Sequence, residues 1–336
     1  MRDADVMQEL LFKMAHTSTS MDSRWRTLKD IFSISRIIDP INSNHRHTIR
    51  TRFFLRALRN YSIWQNWHGF LKSSPFGAIA SNYPRLYEKP LRPYLHRELT
   101  SRECHRMLRE HYLFLQRYAP ADLINAILSN EPFILNEHSF KDLNEPLLIN
   151  FTYSKHMQQE GELTLSIGRS ESMYTFNEHE WIASLTFVIH YGASGWEILV
   201  GGVQGGRTDA SKEDTKHATH VFHGLRPKHL LVYTLREVAA AWGISRIYAV
   251  GNLAHCFMRR RYQDRMRMMK SSYDELWHDV GGQPAADGFY SLPVENSRRP
   301  IHTVPSRKRA QYRRRFAMLD SIDREIREKL ADTRSI

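Results

Sequence analysis

The sequence predicts an α+β fold, with a helical N-terminal region packed on a mainly antiparallel sheet domain that has a β-α-β core. Three observations carry this. Before residue 140 the apolar residues recur at intervals of three and four, the period of a helix with one buried face. From Leu147 the period drops to two, as in Leu163, Leu165 and Ile167 alternating with Thr164 and Ser166. The stretch from Trp196 to Asn252 then reads as strand, loop, helix, strand. These shifts divide the chain into a mainly helical region (1–140), an α/β domain (145–300) and a basic amphipathic C-terminal helix (303–336).

The elements follow in order. Ser23 to Ile38 is predicted as a first helix, ending before Asp39-Pro40. Thr48 to Leu71 is predicted as a second, with Phe54, Leu58, Tyr61 and Trp64 on one side and Arg50, Arg52, Arg56 and Arg59 on others. Four prolines between Ser73 and Pro93 predict an extended connector. Thr100-Ser101-Arg102-Glu103 has the form of a capping box, opening a helix that runs to Tyr118. A shorter helix follows at Asp122 to Leu128. Strands are expected at Leu147–Tyr153, Leu163–Ile167, Met173–Phe176, Ile182–Tyr191 and Trp196–Val203. A helix from Pro227 to Trp242 and a strand from Ile244 to Val250 come next. Arg259 to Trp277 is expected to be largely helical, and Phe289 to Val294 a last short strand. Tyr312, Phe316, Leu319, Ile322, Ile326 and Leu330 form the apolar stripe of the terminal helix.

Function is read mainly from the β-α-β junctions. The strand Ile198-Leu199-Val200 ends in Gly201-Gly202, and paired glycines in a strand imply a bulge or the close approach of another backbone or ligand. Gly224-Leu225-Arg226-Pro227-Lys228 opens the following helix, with proline at the first helical position. Free N–H groups beside an arginine and a lysine suit an anion, so a phosphate-bearing ligand is the first expectation. The alternative is that Arg226 and Lys228 are merely solvated. His255 lies just past a strand end, where it could take a proton near neutral pH or simply cap a turn. Asn252 could position a substrate or form that turn. Tyr273, Asp274 and Trp277 lie within one and a half turns of helix. Tyr273 and Trp277 share a face, which would put Trp277 against a substrate or make the two an aromatic pair in the core, and Asp274 could orient His255 or a substrate amine. His217, His220 and His223 recur every three residues, but the third drifts off the shared face and no cysteine or carboxylate completes a metal set, so no metal is expected.

The order of elements is similar to the GNAT-type acyltransferase fold. There a bulged strand receives the pantetheine arm and the next helix N-terminus holds the pyrophosphate of acyl-CoA. The resemblance implies Gly201, Gly202, Gln204 and Gly205 at the bulged strand, with Gly224, Leu225, Arg226 and Lys228 at the pyrophosphate. It also implies Tyr273 as the acid that protonates the departing thiolate, with CoA or acyl-carrier protein as donor. The polar link from Gly206 to His223 departs from the compact glycine loop of that fold. A narrower resemblance rests on GVQG, HGLRPK, VGN-x-x-H, YDELW followed by GG, and SRKR-x-x-YRRR. These segments look like the VirK/YbjX family of bacterial proteins, strongly over Leu147–Arg315. That family is associated with virulence, envelope integrity and resistance to antimicrobial peptides.

Composition bounds these readings. The 336 residues are 41% hydrophobic and 25% charged, which suits a globular chain, and the net charge is +12. Such a surface favours acidic partners, first a phosphorylated donor and then an anionic membrane or lipid A precursor. Nucleic acid ranks third, because the basic runs at Arg259–Arg267 and Arg307–Arg315 come without a helix-turn-helix, zinc-finger or RNA-binding signature. Two cysteines, Cys104 and Cys256, cannot build a disulfide framework, and the N-terminus lacks the apolar core of an export signal. A cytoplasmic protein, peripheral to the inner membrane, is expected. The alternative to an acyltransferase is a non-catalytic envelope-assembly factor that binds anionic lipid or a client protein.

Overall fold

The computed structural model describes residues 21–38, 46–139, 145–153, 156–175, 181–206, 209–258 and 273–331. The chain forms two compact units, Met1–Arg92 with Thr100–His105, and Pro93–Leu99 with Arg106–Ile336.

In the first unit, helices α1 (Met21–Ile37), α2 (Arg46–Arg59) and α3 (Tyr61–Ser73) enclose a core of Ile31, Ile34, Ile38, Phe53, Ala57, Leu58, Trp64 and Leu91. The single helix expected from Thr48 to Leu71 is broken at Asn60. Its backbone leaves the helical region at φ −118°, ψ 41°, while its side chain donates to the Arg56 carbonyl at 3.0 Å. An asparagine amide bonds nearby backbone and so competes with helix continuation. The connector expected to be extended is instead wound into 3₁₀ turns at Pro75–Ala78 and Pro84–Leu91 around a short helix, Ile79–Asn82. Pro75 and Pro84 begin the two turns, where the N–H that proline lacks is not needed. The capping box is present, with Thr100 N donating to the Glu103 carboxylate at 2.8 Å and Glu103 N to Thr100 Oγ1 at 3.3 Å.

The second unit is built on an eight-stranded sheet in the order β1 (Phe133–His138), β2 (Leu147–Thr152), β3 (Leu163–Arg169), β4 (Ala183–Gly192), β5 (Gly195–Gly205), β6 (Ile247–Val250), β8 (Phe289–Leu292), β7 (Gln283–Pro284). Every pairing is antiparallel except β5 with β6. Along the chain its helices are α4 (Ser101–Tyr118), whose first turn belongs to the other unit, α5 (Ala121–Ser129), α6 (Ser170–Tyr174), α7 (Asp209–Val221), α8 (Pro227–Ala241), α9 (Tyr273–Asp279) and α10 (Ser306–Leu330). Four of these elements depart from expectation. β1 was not foreseen, β7 occupies Gln283–Pro284 where only a turn was expected, α6 stands where a strand was expected at Met173–Phe176, and much of the polar link from Gly206 to His223 is α7.

The two faces of the sheet differ in chemistry. Phe151, Leu165, Leu185 and Val203 are cross-strand partners on one face, where Phe151 stacks on Trp242 at the end of α8. On the other, Asn150, Ser166, Ser184 and Gln204 form one row, and Thr152, Thr164, Thr186 and Gly202 the next. This polar face is nevertheless buried: Asn150, Thr152, Thr164 and Ser166 have no exposed surface. It is satisfied partly by its own rungs, Thr164 to Thr186 at 2.8 Å and Ser166 to Asn150 at 2.7 Å. Met157 adds a sulfur acceptor for Thr186 at 3.1 Å.

Candidate active site

The glycine pair is a bulge. Thr186 pairs with Gly202 and Phe187 with Val200, leaving Gly201 as the extra residue of β5. The parallel pairing with β6 runs from Ile198 opposite Ile247 to Val200 opposite Ala249, so the bulge begins where that pairing stops. A backbone also approaches. A Cβ on Gly201 would lie 2.0 Å from the Glu160 carbonyl oxygen, and one on Gly202 would lie 2.5 Å from Glu160 Oε1. Gly161 fits as tightly, since its Cβ would lie 2.6 Å from Thr186 Cγ2 and Glu162 N bonds the Phe187 carbonyl at 2.9 Å. The turn Met157–Glu162 thus lies across the polar strand face, and only glycines permit the contact.

Glu160 is the centre of the site. Its Oε1 is 3.1 Å from His255 Nε2 and accepts the Tyr273 hydroxyl at 3.2 Å, and its Oε2 accepts Gln204 Nε2 at 3.0 Å. Glu160, His255 and Tyr273 are 1%, 0% and 3% exposed, so a charged carboxylate here depends on these donors. His255 Nδ1 accepts from Phe257 N at 3.3 Å, which places the proton of the neutral ring on Nε2, toward Glu160. Both ring nitrogens are therefore occupied, and His255 stands as the orienting partner of the carboxylate. Burial, and then the Glu160 charge, hold the Tyr273 phenol well above its ordinary pKa, so it keeps its proton at physiological pH.

The strap Pro93–Leu99 is laced to the same place by main-chain bonds. Leu95 N donates to the Gln159 carbonyl at 2.7 Å, Cys256 N to the Leu95 carbonyl at 3.1 Å, and Arg97 N to the Ala254 carbonyl at 2.8 Å. Leu95 is held at φ +52°, an uncommon value for a residue with a side chain. A second buried carboxylate, Glu162, accepts the hydroxyls of Tyr94 at 2.9 Å and Tyr112 at 2.6 Å.

The structure brings His255, Tyr273, Gly201, Gly202 and Gln204 together around Glu160. It does not bring Asp274 to His255. Asp274 Oδ1 instead accepts Asn252 N at 2.9 Å, while Asn252 Oδ1 accepts Tyr273 N at 2.9 Å, and this reciprocal pair fixes the turn after β6 to the start of α9. Asn252 thus caps the start of α9, a role neither reading gave it, and it is not left-handed. Trp277 is a core residue, fully buried, with Nε1 donating to the Val250 carbonyl at 2.9 Å. Glu160 itself escaped the sequence reading. The signal available was Gln159-Glu160-Gly161-Glu162, two acids around a glycine directly before an alternating strand.

At the C-terminal end of the bulged strand, directly after Gln204, Gly205 lies against Lys228, with a Cβ position 3.4 Å from Lys228 Cε. Burial lowers the pKa of this lysine. His223 and Gly224 are both left-handed, at φ +54° and +81°, and Arg315 of α10 pins that loop by donating Nε at 3.1 Å and Nη2 at 2.6 Å to the His223 carbonyl. Arg226 is exposed at the N-cap of α8, which no side chain caps, and Leu225 is partly buried. No group of three His, Cys, Asp or Glu placed to hold a metal occurs among the described residues. The run Arg259–Arg267 lies outside them.

The family described as "Protein of unknown function (DUF535)" matches residues 42–328. The chain belongs to this family. Among curated relatives, the "Uncharacterized protein YbjX" of Escherichia coli K12 is 29% identical over 283 residues, 84% of this chain and 83% of that one. An uncharacterised protein of Haemophilus influenzae is 25% identical over 285 residues, 83% of this chain and 88% of its own. The VirK/YbjX resemblance therefore holds over most of the DUF535 chain. A solved structure, a mutant cAMP-binding acyltransferase from Mycobacterium smegmatis, matches with a TM-score of 0.25 and 11% identity over 67% of this chain and 60% of that one, a likeness too slight to bear on function.

Proposed function

We propose that this DUF535 chain transfers an acyl group from CoA or acyl-carrier protein to an amine or hydroxyl acceptor. The observation that carries the reading is a buried carboxylate and a protonated phenol meeting at a β-bulge where two parallel strands part. Lys228 and the uncapped start of α8 stand at the C-terminal end of the same strand, just past Gln204, suited to the donor's phosphates. Glu160 takes the acceptor's proton as it attacks the thioester carbonyl. Tyr273 gives its proton to the departing thiolate, and Glu160 returns one to Tyr273 through their hydrogen bond. His255 and Gln204 hold the carboxylate in place. The cell context implied by the family resemblance is a cytoplasmic enzyme at the inner membrane acting for envelope integrity, virulence and antimicrobial-peptide resistance.

One observation favours a second reading. Glu160 is already bonded on both oxygens and its turn covers the polar strand face, as in a purely structural polar core. A non-catalytic envelope factor that binds anionic lipid or a client protein would need no more. Thermal-shift screening against CoA, acyl-CoA and acyl-carrier protein separates the two, because a ligand bound only by the folded state raises Tm. The acyltransferase reading expects a saturable rise with one of these donors that Tyr273→Phe retains. Tyr273→Phe should also lower turnover by roughly 10²–10⁴-fold. A flat response to all three donors favours the second reading.

A further inference from the structure

The largest aromatic residues of α2 and α3 are turned into their own unit. Phe53, Trp64 and Trp67 of α2 and α3 have no exposed surface. The exposed aromatics lie one helix earlier. α1 buries Ile31 and Ile34 and leaves Trp25 61%, Phe32 59% and Ile37 53% exposed. No other described element carries more than one exposed large hydrophobic residue. At about 100° per residue, Trp25, Lys29, Phe32 and Arg36 fall within an arc of roughly 60°, directly opposite the buried isoleucines. Arg26 and Ile37 lie together beyond one edge of that stripe, about 60–80° round the helix, and Arg26, Lys29 and Arg36 are all exposed. The acid beside them, Asp30, is already paired with Lys72 at 3.0 Å.

We propose that this face of α1 is a membrane-docking surface that seats Trp25 and Phe32 in the headgroup region of an anionic bilayer, with Arg26, Lys29 and Arg36 on its phosphates. Aromatic residues interleaved with cations on one helical face suit the boundary between headgroups and acyl chains. The charge complementarity selects an anionic lipid over a neutral one. No helix among the described residues is long and apolar enough to cross a membrane, so the contact is a surface one.

The seven tryptophans make the test direct. Trp64, Trp67, Trp181 and Trp277 are buried, Trp196 and Trp242 are partly buried, and Trp25 is exposed. Acrylamide quenching of the intact chain therefore reports chiefly on Trp25. With phosphatidylglycerol vesicles, quenching should fall and the chain should co-sediment, both reversing in high salt. Phosphatidylcholine vesicles should do neither. Trp25→Ser with Phe32→Ser, or Lys29→Glu with Arg36→Glu, should weaken binding at least about tenfold at an unchanged Tm, since neither pair touches the buried face. Equal quenching with and without anionic vesicles overturns the proposal, and that result needs no variant. Unchanged sedimentation of both variants overturns it by placing the contact elsewhere, such as on the basic end of α10. A dimer in light scattering that dissociates in Trp25→Ser/Phe32→Ser overturns it in favour of a second copy.

Discussion

Glu160 concentrates the physical tension of the second unit. It is a carboxylate with 1% exposure, held by a histidine, a phenol and an amide, and its main chain rests on a glycine bulge. Removing one member of a buried ionic cluster strands the others. Glu160→Ala should therefore cost about 3–5 kcal/mol in urea unfolding. Gly201→Ala drives a methyl into the Glu160 carbonyl and should cost about 1–3 kcal/mol through overpacking alone. His190 supplies a pH dependence. Burial, and then the Arg106 charge, lower its pKa to about 4, even though Glu197 lies 3.5 Å from the ring. Arg246 already engages that carboxylate at 3.3 Å, so burial wins. The unfolded chain takes up this proton near pH 6.5 and the folded chain only near 4. Stability should then fall by up to about 3 kcal/mol as the pH drops from 6.5 to 4, and His190→Asn should flatten that part of a urea-midpoint profile.

At the scale of elements, the turn after β6 and the start of α9 form one device. Asp274 caps the backbone N–H of Asn252, and Asn252 caps that of Tyr273. Asp274→Ala should cost about 1 kcal/mol, typical of a lost cap, and Asp274→Asn, which keeps the acceptor, should be near neutral in thermal melts. Most elements were legible from periodicity, because the two periods stay distinct and turn residues punctuate them. The misses have local physical causes. α6 looked like a strand because its acceptor is remote: Glu145 receives Ser170 Oγ at 2.9 Å and Glu171 N at 3.0 Å. No local pattern reveals that partner. The prolines of Pro75–Leu91 signalled an interruption correctly, but two of them begin tight turns and do not extend the chain. Gly201 and Gly202 announced the bulge from sequence. Glu160 was not legible, since it sits in a turn and gains its meaning only from residues about 44 and 95 positions away.

At the scale of the whole molecule, the mostly antiparallel sheet, the bulge and the following helix assemble a chemical centre and an anion-suited helix start along one strand, β5. The basic run of the C-terminal helix has a part in this that composition alone did not suggest, since Arg315 fastens the loop that leads into α8. The central claim is that β5 and α8 hold an acyl donor whose thioester reaches Glu160. It is tested most directly by calorimetric titration of acyl-CoA and acyl-carrier protein into the parent chain, Glu160→Gln, and Arg226→Ala with Lys228→Ala. Each charge-assisted contact is worth on the order of 1.5–3 kcal/mol. The account predicts saturable donor binding by the parent, near-equal binding by Glu160→Gln, and a loss of a hundredfold or more, on that estimate, in the double variant. Equal affinity in the double variant and the parent, or no binding of either donor by the parent, would contradict it.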